Sequence, residues 1–578
     1  MTQAVPFLRQ KAKELKEVFN GQRPCDLLIK GARVVDLFGG EVIEGPVAIH
    51  KGEVIALEEL SAREVFDARG LYLVPGFVDS HLHIESTLLV PHQFARAVLK
   101  RGTVAVFADP HEIANVLGLE GIRFMIEDSE GLPVDIFFLL PSCVPATPFE
   151  TSGASLGPED LRGLKAHPRV VGLGEFMDVQ GLLKAEEGTV EKLALFEDGV
   201  IDGHGPLLGG KELSYYLCLG IGSDHETVGL EEGREKLRKG LFLYLREGTS
   251  ERNLRELIPL LSPFSSERFG FASDDRSPVD LLHRGHIDDI LRQAVAQGLD
   301  PLLALKAACL NPFRHFRLRG RGAVAPGYRA DLSLLKDLEG FEVIGVMKGG
   351  RWVFLEGEYR LPFPGRTPPT ESPFAVPPAE VLRRKMEVRP EGRRLRAIGL
   401  VEGEIVTVER VLEVPRGTGV LEPRALGVPK VVVVERYEGS GRTGVGFLQG
   451  LGIEEGALGT TIAHDSHNLV VAGMSDEEIL LAVEALRRSR GGMVVVRGGR
   501  VLGHLPLPVA GLMSERPYEE VAALLEELEE AAQDLGSKVL PHPFMYLSFV
   551  ALPVIPELRL TDRGLFDVKG HRFVPLTF

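Results

Sequence analysis

Residues Leu71–Glu85 read LYLVPGFVDSHLHIE. The stretch opens apolar, passes Pro75 and Gly76, and ends Asp79-Ser80-His81-Leu82-His83-Ile84-Glu85. An apolar run bounded in this way predicts a buried strand. Side chains alternate faces along a strand, so His81 and His83 share a side. Two imidazoles on one side of a strand end can hold a divalent ion. Taken alone, such a pair reads more simply as two loop histidines. The residues that follow change the balance.

The same pattern repeats: an apolar strand, a polar end, then a helical segment. After LYLVPGFVDSHLH come TVAVFADPHE, VDIFFLLPSCVP, VVGLGEFMD, GVIDGHGP, CLGIGSDHE, LFLYLREGTS and RFGFASDDR. Pro91–Lys100, Gly118–Ser129, Pro158–Ala166, Thr189–Glu197, Lys211–Leu217 and Leu230–Lys239 have helical character between them. Eight such units predict a (β/α)8 TIM-like barrel, whose active site lies at the C-terminal strand ends. The polar clusters of this chain sit at those ends.

Outward from the barrel, Val5–Asn20 predicts an amphipathic helix, and Cys25–Val74 a run of short antiparallel strands with glycine turns. After helices around Pro278–Gln297 and Pro301–Cys309, GRGAVAPGYRADLSLL and VIGVMKGGRWVFLEGE return to short strands. They are expected to complete the first sheet, so the barrel (71–317) is inserted in a small β-sandwich formed by 1–70 and 318–360. Residues 361–378 are rich in proline and read as a linker. Residues 379–578 form a separate α+β domain, with a capping box at Ser475–Glu478 opening one helix and Pro517–Leu535 a second. Gly439-Ser-Gly441-Arg-Thr-Gly444 fits a dinucleotide fingerprint, but VGFLQGLG after it cannot form the required helix, so a tight turn is expected.

The chain has 578 residues, 44% hydrophobic and 26% charged, with a formal charge of −16. That is ordinary globular composition, and it lacks the basic surface of a nucleic-acid binder. The four cysteines, Cys25, Cys143, Cys218 and Cys309, make no CxxC pair, which fits a reducing cytoplasm. There is no apolar signal core and no stretch of membrane-spanning length. The expectation is a cytoplasmic enzyme acting on a small molecule, with a homodimer as the base-rate assembly.

The strand ends carry His81, His83 and Glu85; Asp109, His111 and Glu112; Glu175; His204; His225; and Asp274 with Asp275. Each alone reads as a hydrogen-bonded histidine or a solvated carboxylate. Convergence on one end of one barrel points instead to a metal centre. Four histidines (His81, His83, His204, His225) and two carboxylates (Glu175, Asp274) suit two divalent ions. Glu175, alone at its strand end, is the natural bridge. Two cations lower the pKa of a shared water, and Asp274 can act as ligand and as the base that takes its proton.

These motifs resemble the amidohydrolase superfamily: PGFVDSHLH, a carboxylate ending strand four, a histidine ending each of strands five and six, and an aspartate ending strand eight. GAVAPGYRADLSLL is similar to that superfamily's return to its sheet. Many members carry a carboxylated lysine where this chain has Glu175. That departure, with HLHIEST, ADPHEIANVLG, PSCVPATPFET, DGHGPLLGGKEL, FASDDRSPVDLLHRGHID and AHDSHNLVVAGMSDEE, resembles the bacterial adenine deaminases over nearly the full chain. The zinc cytidine-type deaminases are excluded, because no PCxxC follows His83-Ile84-Glu85.

The resemblance implies conversion of adenine and water to hypoxanthine and ammonia, with a hydroxide shared by the two cations attacking C6. It favours Mn2+ or Fe2+, with Zn2+ also compatible. Glu85, His111 and Glu112 are the candidates for the ring-nitrogen proton donor or for adenine recognition; supporting the metal histidines is their other reading. The backbone of Ser142–Pro145, with Ser142 and Cys143, is a candidate for the purine edge. Arg246 reads as a structural salt bridge. The loop His464–Asn468 either reaches the barrel mouth, binds another ion, or serves as turn and cap. His283, His286 and Asp288 read as surface or supporting residues. The competing activity is that of another amidohydrolase, acting on a cyclic amide or N-acyl substrate.

Overall fold

The computed structural model describes residues 4–369, 373–415, 417, 419–536 and 542–578. Eight strands carry the site: Phe77–Leu82 (β1), Thr103–Ala108 (β2), Asp135–Leu140 (β3), Val170–Phe176 (β4), Val200–Gly203 (β5), Ser223–Asp224 (β6), Phe242–Arg246 (β7) and Phe269–Ala272 (β8). β1–β5 pair in parallel in chain order, and so do β6–β8. Isolated parallel bridges, Ile201 to Ile221 and Leu82 to Asp274, join the two groups at both edges. The result is a curled parallel sheet with helices between successive strands. All residues of β1, β2, β7 and β8 are buried, as expected of strands covered on both faces.

Valine, phenylalanine and leucine recur in these strands because a sheet buried on both faces admits polar side chains only where they find partners, as Asp79 does with Ser273. Val78, Ala105, Phe107, Leu139, Phe313 and Phe316 form one apolar cluster at its lower end, where Phe107 stacks on Phe316 at 3.7 Å. Between Asp79 and Leu82 the register against β2 shifts by one residue. This bulge lets Val78 and His81, three residues apart, both face the interior, with His83 two residues further on the same side as His81. β6 is only two residues long, shorter than CLGIGSDHE suggests. Gly220 and Gly222 precede its start, and the Gly222 N–H donates to the Ile201 carbonyl (3.0 Å). β5 is also short, at four residues.

A nine-stranded sheet contains strands from both sides of this segment. The chain leaves it at Tyr72–Pro75 and re-enters at Leu332–Leu335, which pairs antiparallel with the strand of departure. The N-terminal helix spans Ala4–Phe19. The proline-rich stretch 361–378 carries no helix or strand among its described residues; Thr370–Ser372 lie outside them.

The C-terminal part is built on an eight-stranded sheet. Helix Asp476–Ser489 packs on it, its first turn capped by Ser475 accepting from the Glu478 N–H (3.3 Å). Helix Tyr518–Gln533 packs there too and touches the first helix after β8, Pro278–His283. Gly439 and Gly441 adopt positive φ in the turn between antiparallel strands Lys430–Val434 and Thr443–Gln449, and no helix follows. No helix among the described residues is long and apolar enough to cross a membrane.

Candidate metal centre

The ends of β1, β4, β5, β6 and β8 bring His81, His83, Glu175, His204, His225 and Asp274 together. One Glu175 oxygen lies 3.2 Å from His83 Nε2; the other lies 2.6 Å from His204 Nδ1 and 3.1 Å from His225 Nε2. Asp274 Oδ1 lies 3.3 Å from His83 Nε2 and 3.7 Å from His81 Nε2. The rings of His81 and His225 stack at 4.1 Å. Within this set, His81, His83 and Glu175 form one group of cation-ligand spacing, and Glu175, His204 and His225 another. Only His204 is more than marginally exposed, its side chain retaining 20%.

The donor set fits divalent cations. His81 Nε2 is buried and makes no hydrogen bond, while its Nδ1 is held by Asp202 at 2.9 Å. His83 Nδ1 points at the Asp109 carbonyl, also 2.9 Å away. Each ring therefore has its Nδ1 proton engaged and its Nε2 lone pair turned to the centre, the arrangement ligating histidines need. Burial disfavours charge here, yet His204, His225 and His83 outweigh it and hold the Glu175 carboxyl well below the ordinary range. Burial likewise opposes a charged His83, and the Asp274 and Glu175 carboxylates outweigh it in the other direction. A cluster of this kind binds positive charge strongly.

Local sequence sets these positions. Gly174 is required because a Cβ there would fall 2.0 Å from Asp109 Oδ2. That oxygen accepts the Glu175 N–H (2.9 Å) and fixes the end of β4. Asp79 accepts from the His81 and Ser273 N–H groups and from the Ser273 hydroxyl (2.5 Å), stapling β1 to β8. Asp274 has φ +50°, a conformation that aspartate tolerates better than most residues. Its backbone N–H donates to the His81 carbonyl (3.1 Å).

Among the other candidates, Glu85 Oε1 accepts from the Ile113 N–H (3.1 Å), and its Oε2 is buried without a partner. Burial pushes the Glu85 carboxyl up to about 7. His111 Nδ1 lies 3.4 Å from Glu175 Oε1. Both Glu112 oxygens are engaged by His464 Nδ1 and His467 Nε2. The Ser142 hydroxyl donates to the Glu175 carbonyl (2.5 Å), and its own carbonyl accepts from Lys192 (2.7 Å). Cys143 is buried, and burial raises its thiol pKa. His286 is buried between Asp79 and Thr103, each at 2.9 Å. Asp288 accepts the His286 N–H (2.6 Å), whereas His283 is exposed and pairs with Glu526.

Two residues at the centre, Asp202 and Glu226, carry no signal strong enough for sequence to single them out. Asp202 orients His81; standing two residues before His204, it shares that residue's face, a signal present in the sequence. Glu226 and Asp274 Oδ2 both pair with Arg246, the latter at 2.6 Å. Arg246 is thus an ion-pair residue as expected, but its partner is the candidate base itself. The loop His464–Asn468 does reach this end of the sheet. A cavity beside the centre is lined by Ser86 and Asp275 from one part of the chain and by His464, Met493, Phe544 and Ser548 from the other.

Two family models match: the amidohydrolase family over residues 72–353 and the adenine deaminase C-terminal domain over residues 404–572. The chain is 44% identical over 567 residues to adenine deaminase 2 of Carboxydothermus hydrogenoformans, covering 98% of this chain and 99% of that protein. It is 46% identical over 562 residues to the adenine deaminase of Syntrophobacter fumaroxidans, covering 97% of each. Among solved structures, the dihydropyrimidinase of Brevibacillus agri covers 58% of this chain and 96% of its own at 14% identity and a TM-score of 0.45, too distant to carry an argument. With full-length identity at this level and a buried His/Asp/Glu cluster at the strand ends, the chain belongs to the adenine deaminase family of metal-dependent amidohydrolases.

Proposed function

We propose that adenine deamination by this chain uses two divalent cations, Mn2+ or Fe2+ in preference to Zn2+, held at one end of a (β/α)8 barrel. The barrel, about residues 71–317, is read as an insertion in a β-sandwich formed by 1–70 and 318–360. A linker, 361–378, and an α+β domain, 379–578, follow. One observation supports the two-cation reading above others: Glu175 turns one oxygen to His83 and the other to His204 and His225. A carboxylate placed between two imidazole groups in this way suits a bridge.

His81, His83 and Asp274 would hold one cation, His204 and His225 the other, with Glu175 between them. When bound, such cations supply Lewis acidity and bring a water's pKa toward neutrality. The remaining work falls to the protein. Asp274 Oδ1 faces the histidines and takes a proton from water; Arg246 holds the other oxygen at 2.6 Å and keeps the carboxylate aimed. As C6 of adenine becomes tetrahedral, a ring nitrogen gains a proton from a protein donor; the amine leaves as ammonia after receiving the proton that Asp274 took up, and the C6 hydroxyl returns its proton to the donor as the carbonyl of hypoxanthine forms.

Of the three candidate donors, Glu85 is favoured. It keeps one oxygen free, whereas both Glu112 oxygens are engaged and His111 leans on Glu175. Ser142 and Cys143 are proposed to support the β4 end and to offer only backbone to the purine edge. A homodimer in the cytoplasm remains the proposed setting, and sedimentation of the purified protein tests the dimer. The activity is tested by ammonia release from adenine against a panel of cyclic amides and N-acyl amino acids, using protein loaded with Mn2+. Turnover of adenine alone supports the reading; turnover of a cyclic amide with none of adenine contradicts it.

A further inference from the structure

The loop Ala463–Asn468 lies between strands Ala457–Thr460 and Leu469–Gly473 of the C-terminal sheet, yet its side chains are spent largely on the other half of the molecule. His464 and His467 engage the two oxygens of Glu112 on helix His111–Leu117. Asn468 donates to the Thr151 carbonyl (2.8 Å). The Ala463 N–H donates to His467 Nδ1 (3.2 Å). That nitrogen is therefore an acceptor, the ring proton sits on Nε2, and Nε2 donates to Glu112. A ring nitrogen that donates has no lone pair for a cation. Glu112, His464 and His467 have the composition and spacing of a third metal site, but this bonding makes them a hydrogen-bonded clamp between the two halves.

The clamp leaves one group unaccounted for. Asp465 is 4% exposed, its Oδ1 lies 4.0 Å from His111 Nε2, and its Oδ2 has no partner. His111 in turn touches Glu175, so Asp465 stands one imidazole away from the proposed bridge. Beside it, His464 stacks on Phe549 at 4.6 Å and lines the cavity shared with Ser86 and Asp275. A buried carboxyl oxygen without a donor is costly. A substrate rich in N–H groups would supply the missing donor, and adenine carries N–H donors on its exocyclic amine and its imidazole ring.

We propose that the C-terminal domain completes the substrate site. Asp465 accepts a hydrogen bond from a purine N–H, and the Glu112 clamp is the positioning device that holds Asp465 and His464 at the centre. This inference rests on the adenine reading above. It assigns Glu112 a positioning role rather than proton transfer.

The test compares wild-type protein, Asp465→Asn and Glu112→Gln, each loaded with Mn2+, by adenine kinetics, metal content per chain and thermal unfolding. Asp465→Asn is isosteric and removes no bond at Oδ2, so a purely structural role predicts unchanged kinetics and an equal or higher Tm. A substrate role predicts a KM for adenine raised about 10- to 100-fold, with metal content and Tm unchanged. Glu112→Gln sets an amide nitrogen against an imidazole N–H, opens one side of the clamp, and should raise KM in the same direction with full metal content. Wild-type KM in Asp465→Asn overturns the proposal, as does a rise in KM that tracks lost metal. Absence of adenine turnover in the wild type would instead refute the underlying activity.

Discussion

Replacing Asp202 with asparagine tests how the centre is held. Asp202 Oδ2 faces His81 Nδ1 at 2.9 Å, while Oδ1 accepts from the Gly203 N–H (3.0 Å) and from the Ser223 hydroxyl. In Asp202→Asn the single carbonyl oxygen has two competing places. A backbone N–H cannot turn away, so the oxygen takes the Gly203 side and the amide nitrogen meets His81. That nitrogen donates to Nδ1 and drives the ring proton onto Nε2, where the cation needs a lone pair. Losing such a supporting partner weakens metal binding about 10- to 100-fold, or about 1.4–2.7 kcal/mol. Both residues are fully buried, so water cannot repair the tautomer. The assay is titration of apo-protein with Mn2+ against a competing chelator, alongside adenine turnover. Weaker binding, with activity recovered at excess Mn2+, is expected. Unchanged metal affinity would refute the tautomer argument and, with it, His81 as a ligand.

Three further outcomes are expected. Arg246→Met leaves Asp274 and Glu226 buried without their cation; unfolding free energy should fall by about 3–5 kcal/mol, and denaturant melts would reveal a smaller effect. Gly174→Ala forces a Cβ toward Asp109 and disturbs the Glu175 N–H bond, so bound metal per chain should drop; full occupancy by elemental analysis would count against the strand-end geometry. Asp135, at the start of β3, is surrounded by Lys348 and Arg321 at 2.8 and 2.5 Å. Burial alone would raise its pKa, but Lys348, Arg321 and Arg329 outweigh it and hold it below the ordinary 3.8. Its stabilising contribution is therefore complete above about pH 4 and is lost as pH falls further. Asp135→Asn should be less stable than wild type at pH 7, with the gap narrowing below pH 4; a gap independent of pH would contradict this.

The metal candidates were legible because apolar strands and polar ends alternate so plainly along the chain. HxH needs only strand periodicity, and Glu175, His204 and His225 each close a recognisable strand. Asp202 lies inside β5, where a lone polar residue gives less signal than His204 just beyond the strand end, although its two-residue spacing from His204 marks a shared face. Arg246 was read as an ion-pair residue, but its partner Asp274 is 28 residues away, and sequence carries no pairing rule across that distance. The bulge in β1 was equally hidden, since register depends on the neighbouring strand. In the loop His464–Asn468, polar density hinted at a site, but the partner, Glu112, lies 352 residues from His464. Short strands β5 and β6 mark where glycines weakened the apolar signal.

The central claim is a two-cation centre bridged by Glu175 that deaminates adenine. Its most direct test is stepwise return of Mn2+ to chelated protein while following ammonia release from adenine. The account predicts that activity rises with added metal and levels off at two equivalents per chain, and that Glu175→Gln loses the plateau. Full activity at one equivalent, or activity untouched by removal of metal, would contradict it.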